Sequence, residues 1–296
     1  MKKLYGTGVA LVTPFKKNGN IDFNGLEKLV KYVINNNVNY LVLLGTTAES
    51  STLSLDEKKD IIECVCSINF GRLPLILGIG SNNTENVIKQ INSIKNLSDF
   101  HAILSVSPYY NRPTQNGVYQ HYKSIIKHTN ENIKIIIYNV PKRTGTNVLP
   151  ETVLRLSNEF KNNIVGIKEA SGNILQSYKI IQKKLYNFSL ISGDDFITIP
   201  IILGGGDSVI SVIAQGLPNQ ISNMINLAMN NNVKKSFSIF YKIIDMINLI
   251  YKEGNPSGIK LLLSIIGICD PYVRLPLLVG TKSLRNDIQH CLKNIN

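Results

Sequence analysis

These 296 residues contain no tryptophan, only four cysteines and four histidines, and no long apolar run. Each scarcity excludes something. Cys64, Cys66, Cys269 and Cys291 are too few and too scattered for the disulfide framework of a small secreted domain, and Cys64-Val65-Cys66 is too tight for a CxxC metal or redox pair. Free thiols in a reducing compartment are expected. His101, His121, His128 and His290 show no ligand spacing with Cys, Asp or Glu, so no metal site is expected. No segment has the length and apolarity of a membrane span. The opening Met1-Lys2-Lys3-Leu4-Tyr5-Gly6 leads into no extended apolar stretch, so no leader is expected, and the chain reads as cytoplasmic and soluble. The formal charge is +12, yet no run of five or six basic residues occurs and no basic segment is interleaved with aromatics. A solvated basic surface is therefore expected in preference to a nucleic-acid or membrane footprint.

What is present is a repeating alternation. Eight short apolar runs (Gly8–Thr13, Tyr40–Gly45, Leu73–Gly80, His101–Ser107, Ile133–Val140, Ile164–Ala170, Phe188–Gly193 and Ser208–Ile213) are separated by longer amphipathic stretches. Helices are predicted over Asp22–Asn36, Leu55–Asn69, Thr84–Asn96, Asn116–Lys127 and Leu149–Glu159. Ser54-x-x-Glu57 is a capping box, and Thr84 follows a Ser81-Asn82-Asn83 turn. Eight strands alternating with helices predict an α/β fold, a parallel (β/α)8 TIM barrel, rather than an open doubly wound sheet. The tail beyond the eighth run exceeds what one closing helix needs. Pro218–Asn230, Val233–Glu253 and Ser257–Ile268 read as helices broken at Gly254-Asn255-Pro256. The expected organisation is a catalytic barrel over residues 1–217 and a C-terminal helical subdomain over 218–296.

Barrel enzymes do their chemistry at the C-terminal ends of the strands. There this chain places Gly45-Thr46-Thr47-Ala48-Glu49-Ser50, Pro108-Tyr109-Tyr110-Asn111-Arg112-Pro113, Tyr138-Asn139-Val140-Pro141-Lys142-Arg143, Lys168, and Ser192-Gly193-Asp194-Asp195. Lys168 is the most informative. It sits in Ile164-Val165-Gly166-Ile167-Lys168-Glu169-Ala170, a segment that reads as a buried strand. Taking an ammonium out of water favours the neutral amine, which attacks carbonyls to form Schiff bases. The alternative is a lysine whose stem is buried and whose head reaches water. Tyr138 stands about one strand–helix repeat before Lys168, so the two fall on adjacent strands at the same rim. Hydroxyls, an arginine and this lysine converge there, which favours the Schiff base. Each companion also has a plain reading: Thr46 and Thr47 as turn formers, Tyr109-Tyr110 as loop packing, Arg143 as a surface ion pair. Gly204-Gly205-Gly206 precedes the eighth run at the non-catalytic end and reads as a helix-to-strand turn rather than a phosphate cradle.

The segments around Thr46, Tyr138 and Lys168, together with Pro108–Pro113 and Ser192–Asp195, resemble the signatures of the pyruvate-dependent class I aldolases and lyases, and most closely the dihydrodipicolinate synthase family. The resemblance runs from Gly6 to about Leu292. It implies a (β/α)8 barrel with C-terminal helices and a condensation of pyruvate with L-aspartate 4-semialdehyde through a lysine Schiff base, serving lysine and diaminopimelate biosynthesis. No metal or organic cofactor is implied. Lys168 matches the Schiff-base lysine and Tyr138 the proton shuttle. Thr46 and Tyr110 match the rest of a hydroxyl relay, Tyr110 serving the neighbouring subunit of a homo-oligomer, a dimer of dimers. Thr47 matches the group holding the pyruvate carboxylate, Ile210 a position whose carbonyl lines the pocket, and Arg143 the receiver of the semialdehyde carboxylate. Sugar-acid members of the same superfamily, such as N-acetylneuraminate lyases and 2-keto-3-deoxy sugar acid aldolases, share this lysine and tyrosine and remain the alternative. A silent barrel that binds a keto acid or a partner protein is opposed by the full set Thr46, Tyr110, Tyr138, Arg143 and Lys168.

Two departures from the family pattern stand out. Ala48 replaces a glycine, which is tolerated only if its backbone avoids positive φ. Leu55, Lys58 and Asn86 stand where lysine-inhibited members carry histidines and a glutamate, while Ser50, Asn82 and Tyr109 match. Feedback by lysine is therefore not expected.

Overall fold

A computed structural model describes residues 4–94, 96–130 and 132–295; Met1–Lys3, where the reading of the N-terminus starts, lie outside the described residues. All eight apolar runs form strands: β1 (Gly6–Ala10), β2 (Tyr40–Leu43), β3 (Leu75–Ile79), β4 (Ala102–Val106), β5 (Ile135–Asn139), β6 (Ile164–Glu169), β7 (Ser189–Ser192) and β8 (Ser208–Ser211). They follow one another in order round a closed parallel barrel, the expected (β/α)8 class. The strands are buried almost throughout, as sheets covered on both faces must be, and this is why they read as short, mostly apolar runs rather than alternating ones. The helices are α1 (Phe23–Ile34), α2 (Leu55–Asn69), α3 (Thr84–Asn92), α4 (Gln115–Lys127), α5 (Pro141–Thr144), α6 (Pro150–Glu159), α7 (Ile174–Lys183), α8 (Thr198–Leu203), α9 (Pro218–Met229), α10 (Val233–Lys252), α11 (Ser257–Ile265) and α12 (Lys282–Ile295).

The chain divides into two compact units. One comprises residues 75–210 with the N-terminal segment up to Gly6; the other comprises residues 7–74 and 211–296. In the first, parallel registers run from β3 to β8. The turn before β8 is the glycine turn expected: Gly204 N–H donates to Pro200 O at 3.0 Å, and Gly205 takes φ +103°, a conformation open chiefly to glycine. Helix α3 stops at Asn92, short of the predicted Asn96, because the Ser93 hydroxyl turns back to Gln90 O at 2.8 Å.

In the second unit, α1 buries Leu26, Leu29, Val30 and Val33, the stripe its spacing predicts. The Ser54 capping box opens α2: Glu57 N–H donates to Ser54 Oγ at 3.1 Å and Ser54 N–H to Glu57 Oε2 at 2.9 Å. The chain leaving β1 is held by Val12 N–H on Gln215 Oε1, at 2.7 Å. All four cysteines are free thiols; Cys269 is buried, and the others are half-buried. No helix among the described residues is long and apolar enough to cross a membrane. Nor do the described residues hold a group of three His, Cys, Asp or Glu that could ligate a metal.

Candidate active site

Strand register fixes the centre of the site. Tyr138, next to last on β5, is the direct cross-strand partner of Lys168 on β6. Both side chains are buried, at 7% and 6% exposure, and the Lys168 ammonium lies 4.4 Å from the centroid of the Tyr138 ring. Position 193 has to be glycine to make room. A Cβ there would come within 3.1 Å of Lys168 Cγ and 3.0 Å of its Cε, and within 2.6 Å of Ala170 Cβ. The lysine stem is thus cased by a neighbouring loop, which favours an amine held in place over a head wandering into water.

Side chains alternate along a strand, so Asn139 and Glu169 point the opposite way from Tyr138 and Lys168. There they tie the two strands together. Asn139 Nδ2 donates to Glu169 Oε2 at 2.9 Å, Gln176 Nε2 donates to the same oxygen at 2.8 Å, and Ser171 N–H donates to Glu169 Oε1 at 2.8 Å. Asn139 Oδ1 accepts from Val148 N–H at 2.9 Å. A buried carboxylate is retained only with such a set of donors. The network sets the relative height of β5 and β6, and with it the separation of Tyr138 and Lys168. Sequence reading passed over Asn139 and Glu169 as motif filler; the signal was two buried polar residues at strand ends in register.

The same unit carries Tyr110 and Arg143 on two linked turns. Pro141 starts the short helix α5, where its fixed φ and missing N–H cost nothing, and Arg143 N–H donates to Val140 O at 2.9 Å. Tyr110 N–H reaches Thr144 O at 3.3 Å and Arg112 Nε reaches Gly145 O at 3.1 Å, so the loop before α4 rests on the turn that presents Arg143. Tyr110 is 81% exposed and adopts φ +74°, unusual for a non-glycine residue. Ile210 is buried on β8.

Thr46 and Thr47 belong to the second unit, on a single turn of 3-10 helix after β2. Ala48 lies within that turn and is not among the residues with positive φ; the left-handed backbone falls on Glu49 instead, at φ 54° and ψ 36°. The condition for tolerating alanine at 48 is met. Such a conformation costs a non-glycine residue roughly 1–2 kcal/mol. The contacts of Glu49 offset that cost. Its Oε1 accepts from Lys260 Nζ at 2.6 Å and its Oε2 from Arg274 N–H at 2.8 Å. Thr13 Oγ1 donates to Ala48 O at 2.8 Å, and Asn255 Nδ2 donates to Thr47 Oγ1 at 3.0 Å. Burial pulls the pKa of Lys260 below its ordinary value, with the Glu49 charge opposing. None of Thr13, Asn255, Lys260 and Arg274 was singled out from sequence, where Asn255 read only as part of a helix break.

Comparison with known proteins identifies the family. The family model described as the dihydrodipicolinate synthetase family matches residues 3–295. A 4-hydroxy-tetrahydrodipicolinate synthase of Karelsulcia muelleri is 56% identical over 97% of this chain and 96% of its own. The enzyme of the same name from Flavobacterium psychrophilum is 49% identical over the full length of both chains. Among solved structures, the chloride-inhibited dihydrodipicolinate synthase from Acinetobacter baumannii in complex with pyruvate superposes with a TM-score of 0.94, at 36% identity and 99% coverage of each chain.

Proposed function

We infer the working of this site from one premise: the chain belongs to the dihydrodipicolinate synthetase family and is an enzyme of lysine biosynthesis with 4-hydroxy-tetrahydrodipicolinate synthase activity. It condenses pyruvate with L-aspartate 4-semialdehyde. Lys168 supplies the amine. Its Nζ adds to the ketone carbon of pyruvate, and the carbinolamine loses its oxygen as water once a proton is delivered. Tyr138 delivers it, drawing on Thr46 and Tyr110 in a hydroxyl relay; hydroxyls move protons without fixing a charge beside the imine. The imine nitrogen then accepts electron density as a methyl proton leaves, giving an enamine. That carbon attacks the aldehyde. The amino group of the semialdehyde closes on the imine carbon, displaces Lys168 and completes the ring, with one water released overall. Thr47 holds the pyruvate carboxylate, the carbonyl of Ile210 lines the pocket, and Arg143 receives the carboxylate of the semialdehyde. The reaction uses no metal or organic cofactor.

The observation carrying this reading is the register of β5 and β6, which sets Tyr138 directly opposite a buried Lys168 with the amine 4.4 Å from the ring. Reduction with borohydride in the presence of pyruvate should add one reduced pyruvate to the peptide bearing Lys168, read by mass. A label on any other peptide, or none, would overturn the assignment. The same reading takes residues 1–217 as the catalytic barrel and 218–296 as a helical subdomain; that every strand ends by Ser211 and only helices follow supports it. It places the enzyme in the cytoplasm, in keeping with four free thiols. It makes the enzyme a homo-oligomer, a dimer of dimers.

A further inference from the structure

The turn carrying Thr46 and Thr47 is not held by its own backbone alone. Within it, Ala48 N–H donates to Gly45 O at 3.1 Å and Glu49 N–H to Thr46 O at 3.2 Å. Beyond these it depends on side chains far away in sequence. Glu49 is the hub. Its carboxylate is 1% exposed and faces the fully buried Lys260 ammonium. Lys260 spends its other contacts on the enclosure, with Nζ to Tyr272 O at 2.8 Å and 4.2 Å above the Phe15 ring. Arg274, whose N–H binds the second oxygen of Glu49, is itself pinned. Its guanidinium bonds Gly19 O, Thr52 O and Glu57, and it stacks 4.4 Å from the same Phe15 ring.

A buried ion pair is weak evidence for stability, because desolvation of two charges offsets their attraction; what it supplies is a fixed geometry. The geometry fixed here is unusual. Glu49 sits in left-handed backbone, and that residue ends the turn on which Thr46 and Thr47 stand. Asn255 acts on the turn directly. Because its Nδ2 donates to Thr47 Oγ1, the hydroxyl oxygen is occupied as an acceptor and its hydrogen is left to donate. A hydroxyl so oriented suits an anion.

We propose that Glu49, Lys260, Arg274 and Asn255 are positioning residues for pyruvate. The ion pair fixes the Thr46–Thr47 turn, and Asn255 orients the Thr47 hydroxyl as a donor to the pyruvate carboxylate. They touch no substrate. The inference rests on the reading of Thr47 as the carboxylate-binding group. It assigns to the helical segment after the barrel, through the turn before α11, α11 itself and the chain following it, a share in selecting the first substrate.

Two variants test it from independent sides. Asn255→Ala removes the donor and leaves the ion pair. Glu49→Gln with Lys260→Met removes both charges together, so that no uncompensated ion stays buried. Both are checked for folding by circular dichroism; if the double variant does not fold, Asn255→Ala decides. The expected result is a rise of about tenfold or more in the KM for pyruvate, while the KM for L-aspartate 4-semialdehyde stays within about twofold, a split that general loosening does not produce. The rate of borohydride trapping at low pyruvate falls by the same factor. A folded variant with the wild-type KM for pyruvate, or with both KM values raised together, overturns the proposal. Thr47→Ala in the same assay separates the two levels. If it leaves the pyruvate KM unchanged, the reading of Thr47 fails and this inference with it. If it raises that KM while Asn255→Ala and the double variant do not, only this inference fails.

Discussion

At the scale of single residues, the proposed roles divide between groups that react and groups that select. Lys168 and Tyr138 are buried and in register. Arg143 is instead exposed, on the four-residue turn α5 beyond β5. Its rigid fork suits a carboxylate held bidentately, which a lysine does not reproduce. A short anionic aldehyde fits an arginine so close to the tyrosine better than a long sugar acid does, and relatives at 49–56% identity carry the synthase name. Arg143→Ala should therefore weaken use of L-aspartate 4-semialdehyde by about 2–4 kcal/mol in transition-state terms, the range for a charged contact in a closed site. Trapping of pyruvate on Lys168 should persist in that variant. Steady-state kinetics with the semialdehyde, set beside the trapping assay, decide it. Normal turnover of the semialdehyde would remove Arg143 from the site.

At the scale of elements, one contact makes folding pH-dependent. His121 on α4 is buried, with Nδ1 2.8 Å from the hydroxyl of Thr84 at the start of α3. Burial lowers its pKa from 6.5 to about 4. The unfolded chain takes up a proton below pH 6.5 that the folded chain refuses until about pH 4, so stability falls as pH drops through that window. Glu57, lowered from 4.5 to about 2 chiefly by its hydrogen bond from Arg274, adds a second loss in the same direction only below pH 4.5. Urea midpoints measured between pH 7 and pH 5 should thus decline in the wild type and decline less in His121→Gln. An equal slope in both would show that another group titrates there. The same elements show what was legible in the sequence. The strands were, because a strand buried on both faces reads as a mostly apolar run. The opening of α2 was, because Ser54 and Glu57 satisfy each other locally. The helix α12 was not, since only Leu284 and Ile288 of its residues are buried and so polar a helix does not stand out as a core segment. The juxtaposition of Lys168 and Tyr138, the pair proposed to react, could be read because burying a lysine or tyrosine at a strand end is conspicuous. Asn255 and Lys260 could not, because their meaning lies in bonds to Thr47 and Glu49 more than 200 positions away.

At the scale of the whole molecule, the proposal that most needs a second subunit concerns Tyr110. Its phenol is 81% exposed, and its backbone is held in a left-handed conformation, with the N–H on Thr144 O. An exposed aromatic on a constrained loop is suited to entering a neighbouring surface, and two-fold symmetry would make the exchange mutual. Mixing tests this directly. Tyr110→Phe and Lys168→Ala should each have little activity alone. Dissociated and reassembled together, they should regain activity if Tyr110 serves the partner, because half of the sites in a mixed pair then hold both intact residues. If Tyr110 acts within its own chain, no mixed site is complete and no activity returns. A monomer by light scattering at working concentration would also defeat the shared tyrosine. A separate expectation concerns regulation. Lysine carries two ammonium groups and one carboxylate, a net single positive charge, and its ammonium groups need acidic or acceptor partners. Leu55 is 68% exposed and offers none, Asn86 is neutral, and Lys58 adds a positive charge whose partial burial already lowers its pKa. Ser50, Asn82 and Tyr109 supply only neutral groups. Initial rates should therefore change little in millimolar lysine, although a relative from Cyanidioschyzon merolae, 32% identical, has been seen with lysine bound. Steep cooperative inhibition would show that acidic partners reach the ligand from elsewhere, and would leave the assignment of Lys168 untouched.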